Sequence, residues 1–118
     1  MNKSKIKICG IKDIKTLDCC IENKVDFFGL IFYKKSPRNI FIKDALNLIR
    51  HSKNKKIKSV GVFVNEPINQ LNLLLKNLKV DYIQLHGKED DRYISEVKKS
   101  NSVKIIKNIP VQEPADLL

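Results

Sequence analysis

The sequence has no tryptophan, one methionine, four glycines and four prolines in 118 residues. So little glycine and proline excludes collagen-like and linker-type compositions. No apolar run approaches the ~20 residues a membrane span requires. The start, Met1-Asn2-Lys3-Ser4-Lys5, runs into an alternating segment without the apolar stretch of a secretory signal. Three cysteines, with Cys19 and Cys20 adjacent, do not make a disulfide framework. Reduced thiols and the missing signal make the cytoplasm the expected compartment.

Arginine is scarce too. The formal net charge is +10, yet of the 23 basic residues only Arg38, Arg50 and Arg92 are arginines, and the lysines are spread along the chain. Arginine is the residue suited to bidentate reading of phosphates and base edges, so its scarcity argues against an evolved nucleic-acid site. No glycine-rich phosphate loop, zinc-ligand spacing or aromatic-basic RNA motif accompanies the charge. Solvated, lysine-rich helix faces account for it more simply.

What is present is a repeated unit of short apolar strand, polar turn and amphipathic helix. Strands are predicted at 5–11, 27–32, 58–64, 81–86 and 103–109, rich in Ile, Val and Phe, as strands buried on both faces should be. A first helix carries Ile14, Leu17, Ile21 and Val25 on one stripe, with Asp13 as N-cap. A second spans about 42–52 with Ala45, Leu46 and Ile49. A third has Pro67 in its first turn and Ile68, Leu71, Leu75 and Leu78 on one face, and a fourth, about 89–100, buries Tyr93, Ile94 and Val97. This is the grammar of right-handed βαβ units, open to a doubly wound sheet or a (β/α)8 barrel. The first strand–helix turn, Cys9-Gly10-Ile11-Lys12-Asp13, has a single glycine, which weakens a dinucleotide-binding reading. No linker or boundary divides the chain. Its last residues, 111–118, read as a loop and the beginning of a fifth helix, so truncation is the expectation.

Three places have chemistry in reach. Side chains alternate along a strand, so Lys5, Lys7, Cys9 and Ile11 share one face and Ile6, Ile8 and Gly10 the other. In a barrel the first set lines the interior and Cys9 lies at the strand's C-terminal end, where barrel active sites are found. Lys7 is two residues below, about 6.6 Å along the strand. An ammonium there favours a thiolate that can act as a base, whereas the plainer reading of Cys9 is a buried structural cysteine. Cys19 and Cys20 lie inside the first helix, away from any strand end, and read as structural. In the loop after the second strand, Ser36-Pro37-Arg38 offers a stiffened arginine fork for a carboxylate or phosphate, or simply an exposed arginine. At the end of the fourth strand, Gln84-Leu85-His86-Gly87 puts Gln84 and His86 on one face; His86 is a ligand-positioning donor or a satisfied polar group. All three places are strand ends that a parallel barrel opens on one mouth.

The segments that carry them resemble phosphoribosylanthranilate isomerase one after another: Lys7-Ile8-Cys9-Gly10-Ile11, then Phe28-Gly29-Leu30-Ile31-Phe32 with Ser36-Pro37-Arg38-Asn39-Ile40, then Val60-Gly61-Val62-Phe63-Val64-Asn65, then Gln84-Leu85-His86-Gly87. The resemblance implies an α/β fold, an incomplete (β/α)8 TIM barrel of about five parallel strands and four helices, with 1–118 as one partial barrel domain. It implies an Amadori rearrangement of N-(5'-phosphoribosyl)anthranilate to 1-(2-carboxyphenylamino)-1-deoxyribulose 5-phosphate, in tryptophan biosynthesis, without metal or cofactor. By analogy Cys9 is the catalytic base, and Arg38 and His86 bind substrate. The family's general acid, an aspartate ending the sixth strand, and its phosphate loops after strands seven and eight would lie beyond Leu118; Asp116 does not match the acid's place. The partner expected is thus a small phosphorylated substrate, not nucleic acid or membrane. With first and fifth strands unpaired at their outer edges, the chain alone is expected to self-associate and to be inactive. The other readings are a non-catalytic half-barrel needing a partner chain and a basic nucleic-acid-binding α/β domain.

Overall fold

The computed structural model describes residues 5–106 and the backbone of 111–112. Strands and helices alternate as β1 (Lys5–Cys9), α1 (Ile14–Glu22), β2 (Phe27–Ile31), α2 (Ile42–Ser52), β3 (Lys58–Phe63), α3 (Ile68–Asn77), β4 (Tyr82–Leu85), α4 (Asp91–Ser100), β5 (Lys104–Ile106) and β6 (Val111–Gln112). All pairings are parallel, in the order β5-β4-β3-β2-β1-β6. The first five strands and four helices occur in the predicted order. No helix among the described residues is long and apolar enough to cross a membrane.

Two helix starts are capped by aspartate, at Asp13 as expected and at Asp90. The Asp13 carboxylate accepts from the Thr16 backbone N–H at 2.7 Å, and Asp90 accepts from Tyr93 N–H at 2.9 Å. Pro67 is the cap residue of α3, immediately before its first turn. The sheet's outer face and the helices enclose the larger core, with Leu17, Phe28, Leu30, Leu48, Phe63 and Leu71 at its centre. At the N-terminal ends of the strands, two equivalent ties close the sheet. Asp26, just before β2, accepts from Ile6 N–H at 2.9 Å; Asp81, just before β4, accepts from Ser59 N–H at 2.8 Å. Each stands in the same short run, Lys-Val-Asp followed by an aromatic residue (24–27 and 79–82).

Several expectations are corrected. The first strand stops at Cys9 because Gly10 takes a φ of +82°, and that turn carries Ile11 out of the alternation into the outer core beside the helices. Ile11 therefore does not line the interior. The first helix ends at Glu22, so Val25 reaches the same core from the following loop, while Ile14 is exposed and Cys20 takes its place on the buried stripe. In α2, Leu48 is buried and Leu46 only partly so. The fourth strand and helix begin later than expected because Asp81 and Glu89 are drawn into hydrogen bonds with neighbouring segments. The first strand's outer edge is not left unpaired: Val111 and Gln112, read from sequence as loop, pair with Lys5 and Ile6. The rest of the expected fifth strand (107–109) and the beginning of a fifth helix (113–118) lie outside the described residues.

Candidate active site

The inner face of the sheet, turned away from the helices, has a different composition. Cys9, Phe27, Ile31, Val60, Val62 and Ile106 form a smaller buried cluster, with Tyr33 and Tyr82 packed against it. At its base the Phe27 and Tyr82 rings meet edge to face at 5.4 Å, and the ammonium groups of Lys5 and Lys104 each stand 5.9 Å from one of those rings. Lys7 is fully buried at 0% exposure, and its Nζ donates a hydrogen bond to Gln84 Oε1. Since β2 and β3 lie between β1 and β4, this bond spans the inner face.

At the C-terminal end of β1, Cys9 is 8% exposed and lies opposite Gly29 of β2. A side-chain carbon on Gly29 would stand 2.8 Å from Cys9 Sγ and 3.1 Å from its Cα, so only glycine leaves the thiol its position. Gly10 and Ile11 then both donate backbone N–H groups to the Gly29 carbonyl, at 3.0 and 3.2 Å, which fixes the turn beside the thiol. The loop after β2 folds back over that turn. Ser36 Oγ accepts from Arg38 N–H at 3.1 Å, and Ile40 N–H donates to the Ile31 carbonyl at 2.9 Å. The half-buried Arg38 side chain lies across Gly10, and its Nη1 donates to the Cys9 carbonyl over a long 3.4 Å. A Cβ at position 10 would come within 2.6 Å of Arg38 Cδ, so Gly10 serves both the turn and the seat of the arginine.

Thus Cys9 and Arg38 are brought together. His86 is exposed at the rim, beyond β4, with its backbone N–H donating to the Phe63 carbonyl at 2.9 Å. Its loop is held by a brace that sequence reasoning missed. The Glu89 carboxylate accepts from Asn65 N–H at 2.7 Å and from Gly87 N–H at 2.8 Å, and Asn65 Oδ1 accepts from Lys88 N–H at 2.6 Å. Asn65 adopts a left-handed φ of 51°; asparagine two residues beyond a strand is the one local signal that could have revealed it. The Tyr93 hydroxyl adds a bond to the Glu66 carbonyl at 2.6 Å; burial, then the charges of Glu89 and Glu66, push its pKa up to about 12. Lys7–Gln84 was also missed as a pair, because nothing local in sequence joins strands one and four. Cys20, by contrast, is a buried thiol in the outer core whose pKa is raised by desolvation, and then by the neighbouring Cys19, as suits a structural cysteine.

Two surface hollows do not locate this mouth. Hollows of about 460 and 490 Å³ lie along α4 and beside the ends of α3 and α4, and neither is lined by Cys9, Arg38 or His86. Convergent polar groups mark the site here.

Known proteins resemble this chain in sequence and fold. A Campylobacter jejuni N-(5'-phosphoribosyl)anthranilate isomerase is 42% identical over 118 residues, covering 96% of this chain and 56% of the relative. The phosphoribosylanthranilate isomerase structure from Thermotoga maritima superposes with a TM-score of 0.81 at 28% identity, covering 89% of this chain and 50% of that one. A second solved structure with the same TM-score and identity covers 89% of this chain and 53% of its own, and holds reduced 1-(o-carboxyphenylamino)-1-deoxyribulose 5-phosphate. The chain spans about half the length of the curated relatives it matches. These neighbours have the TIM-barrel fold, of which the described strands and helices form a part. With the family profile matching residues 6–118, the chain belongs to the N-(5'-phosphoribosyl)anthranilate (PRA) isomerase family.

Proposed function

We infer that the protein carrying this chain isomerises N-(5'-phosphoribosyl)anthranilate, with Cys9 as general base and Arg38 and His86 as substrate-binding groups. The observation that carries the reading is the juxtaposition of Cys9 and Arg38 at the C-terminal ends of adjacent strands, each seated by a glycine. In the reaction, a general acid protonates the ribose ring oxygen and the ring opens to a Schiff base. The Cys9 thiolate then removes the C2 proton, and the resulting enolamine tautomerises to the aminoketose. The Arg38 guanidinium has donors remaining for the anthranilate carboxylate. His86 contributes a rim contact to substrate. The resemblance assigns the acid and the phosphate-binding loops to later barrel units.

The three thiols and the small-molecule substrate support a cytoplasmic enzyme without a nucleic-acid or membrane partner. The complete gene product is tested by following loss of substrate fluorescence. Turnover is expected, and the 118-residue chain alone should show none and should self-associate in sedimentation. A complete product that is folded by circular dichroism yet leaves the substrate unchanged would overturn the reading.

A further inference from the structure

We propose that Gln84 is a positioning residue for the reaction: it holds the Lys7 ammonium in the barrel interior beneath Cys9, where the charge favours the thiolate. The inference rests on the reading of Cys9 as the base. Its starting point is that a fully buried ammonium is costly in an apolar interior and persists only when its hydrogen bonds are met. Gln84 meets one of them across two intervening strands. The identity of the partner is informative. A carboxylate would hold the cation more firmly, but it would also oppose its charge. The amide oxygen satisfies a donor and adds no opposing charge.

Lys7 and Cys9 are two residues apart on one face of β1, their backbone positions roughly 7 Å apart along the strand. In an interior shielded from water, a unit charge at that distance changes the thiolate population by roughly an order of magnitude or more. Other groups face the same space: Lys5 on β1, Tyr33 just after β2, Lys58 on β3, Tyr82 on β4, Lys104 on β5, and Arg38 and His86 at the mouth. Lys5, Lys58 and Lys104 are exposed at the strands' lower ends, and Arg38 is half-exposed, so water screens them more than it screens Lys7. All of them remain in the variants below and cancel from the comparison.

The experiment compares wild type, Gln84→Glu and Lys7→Met in the complete gene product. Iodoacetamide alkylation of Cys9 is measured against pH and mapped by mass spectrometry, with the exposed Cys19 as internal reference. The pH profiles of kcat and KM are taken alongside. In Gln84→Glu a carboxylate is set on the ammonium. Cys9 alkylation at pH 7 should then fall about tenfold and its midpoint should rise by about one pH unit, with Cys19 unmoved. The acidic limb of kcat should move with it, and KM should stay within roughly twofold. Lys7→Met should shift both in the same direction; if its loss prevents folding, Gln84→Glu decides alone. Were Gln84 only a structural tie, the stronger ion pair would leave the Cys9 profile where it was, and that result would overturn the proposal. A shifted alkylation profile in a product without isomerase activity would remove the reaction assignment and leave the Gln84–Lys7–Cys9 coupling standing. Activity with an unmoved profile would remove the coupling and leave the reaction.

Discussion

The two faces of the sheet are built from the same strands and obey different rules. Toward the helices it buries Phe28, Leu30, Phe63 and Ile83, each at 0% exposure, against Leu17, Leu48 and Leu71, with no charged residue in the cluster. The inner face carries a buried lysine, a thiol at a strand end and an amide reaching across two strands, with aromatic rings and lysines at its base. Burial of apolar area explains the first face completely. It does not explain the second, where a buried ammonium would be selected against unless it did something. The outer face holds the fold; under the function proposed above, the inner face is where the chemistry takes place.

Substitutions on the two faces should therefore separate stability from turnover. The largest stability loss is expected on the outer face: Phe28→Ala should cost about 3–5 kcal/mol in urea unfolding, with kcat per folded molecule unchanged. A stability loss of that size accompanied by a parallel loss of kcat would blur the division. Gly29→Ala tests the inner face. The added methyl must displace Cys9, so kcat should fall more than about tenfold while stability drops by only about 1–3 kcal/mol. Full activity would mean that the thiol's position is unimportant. Arg38→Lys keeps the charge and loses the planar fork, so KM should rise by roughly fivefold and more than kcat falls; unchanged KM in steady-state kinetics would make Arg38 a surface residue.

The smallest effect belongs to neither face. Asp13→Ala removes a helix cap and should cost about 1 kcal/mol without touching kinetics. The Thr16 backbone N–H holds the Asp13 pKa below its usual value, with Thr16's side chain and Lys15 adding to this and slight desolvation opposing it. A depressed carboxylate stabilises above its unfolded pKa, and that contribution is lost as pH falls through the folded value. The wild type should accordingly lose more stability than Asp13→Ala on acidification below about pH 4. Parallel stability curves for the two proteins would show that the cap bond carries no such linkage.

Periodicity made the outer face legible, because its residues need only recur at strand and helix spacing, as Leu71, Leu75 and Leu78 do. It failed where one backbone angle redirects the chain. A left-handed Gly10 sends Ile11 to the helix side, and no apolar pattern encodes that. Cys9, Arg38 and His86 were legible as strand-end residues of repeated units. Their supports were less so: Gln84 was visible as an inner-face residue, but its bond to Lys7 joins positions 77 residues apart. The Glu89–Asn65 brace is hidden in sequence, since a glutamate before Asp90 looks the same whether it begins a helix or ties two loops.

The claim that the inner face does the chemistry is tested most directly by Cys9→Ser in the complete gene product. A serine hydroxyl is too weakly acidic to serve as the same base at neutral pH. The expected result is a loss of kcat of more than about a hundredfold, with circular dichroism unchanged and a melting temperature within a few degrees of wild type. Retention of more than about a tenth of wild-type kcat, a loss below ~1.4 kcal/mol in barrier, would contradict the account and return Cys9 to the core as a structural residue.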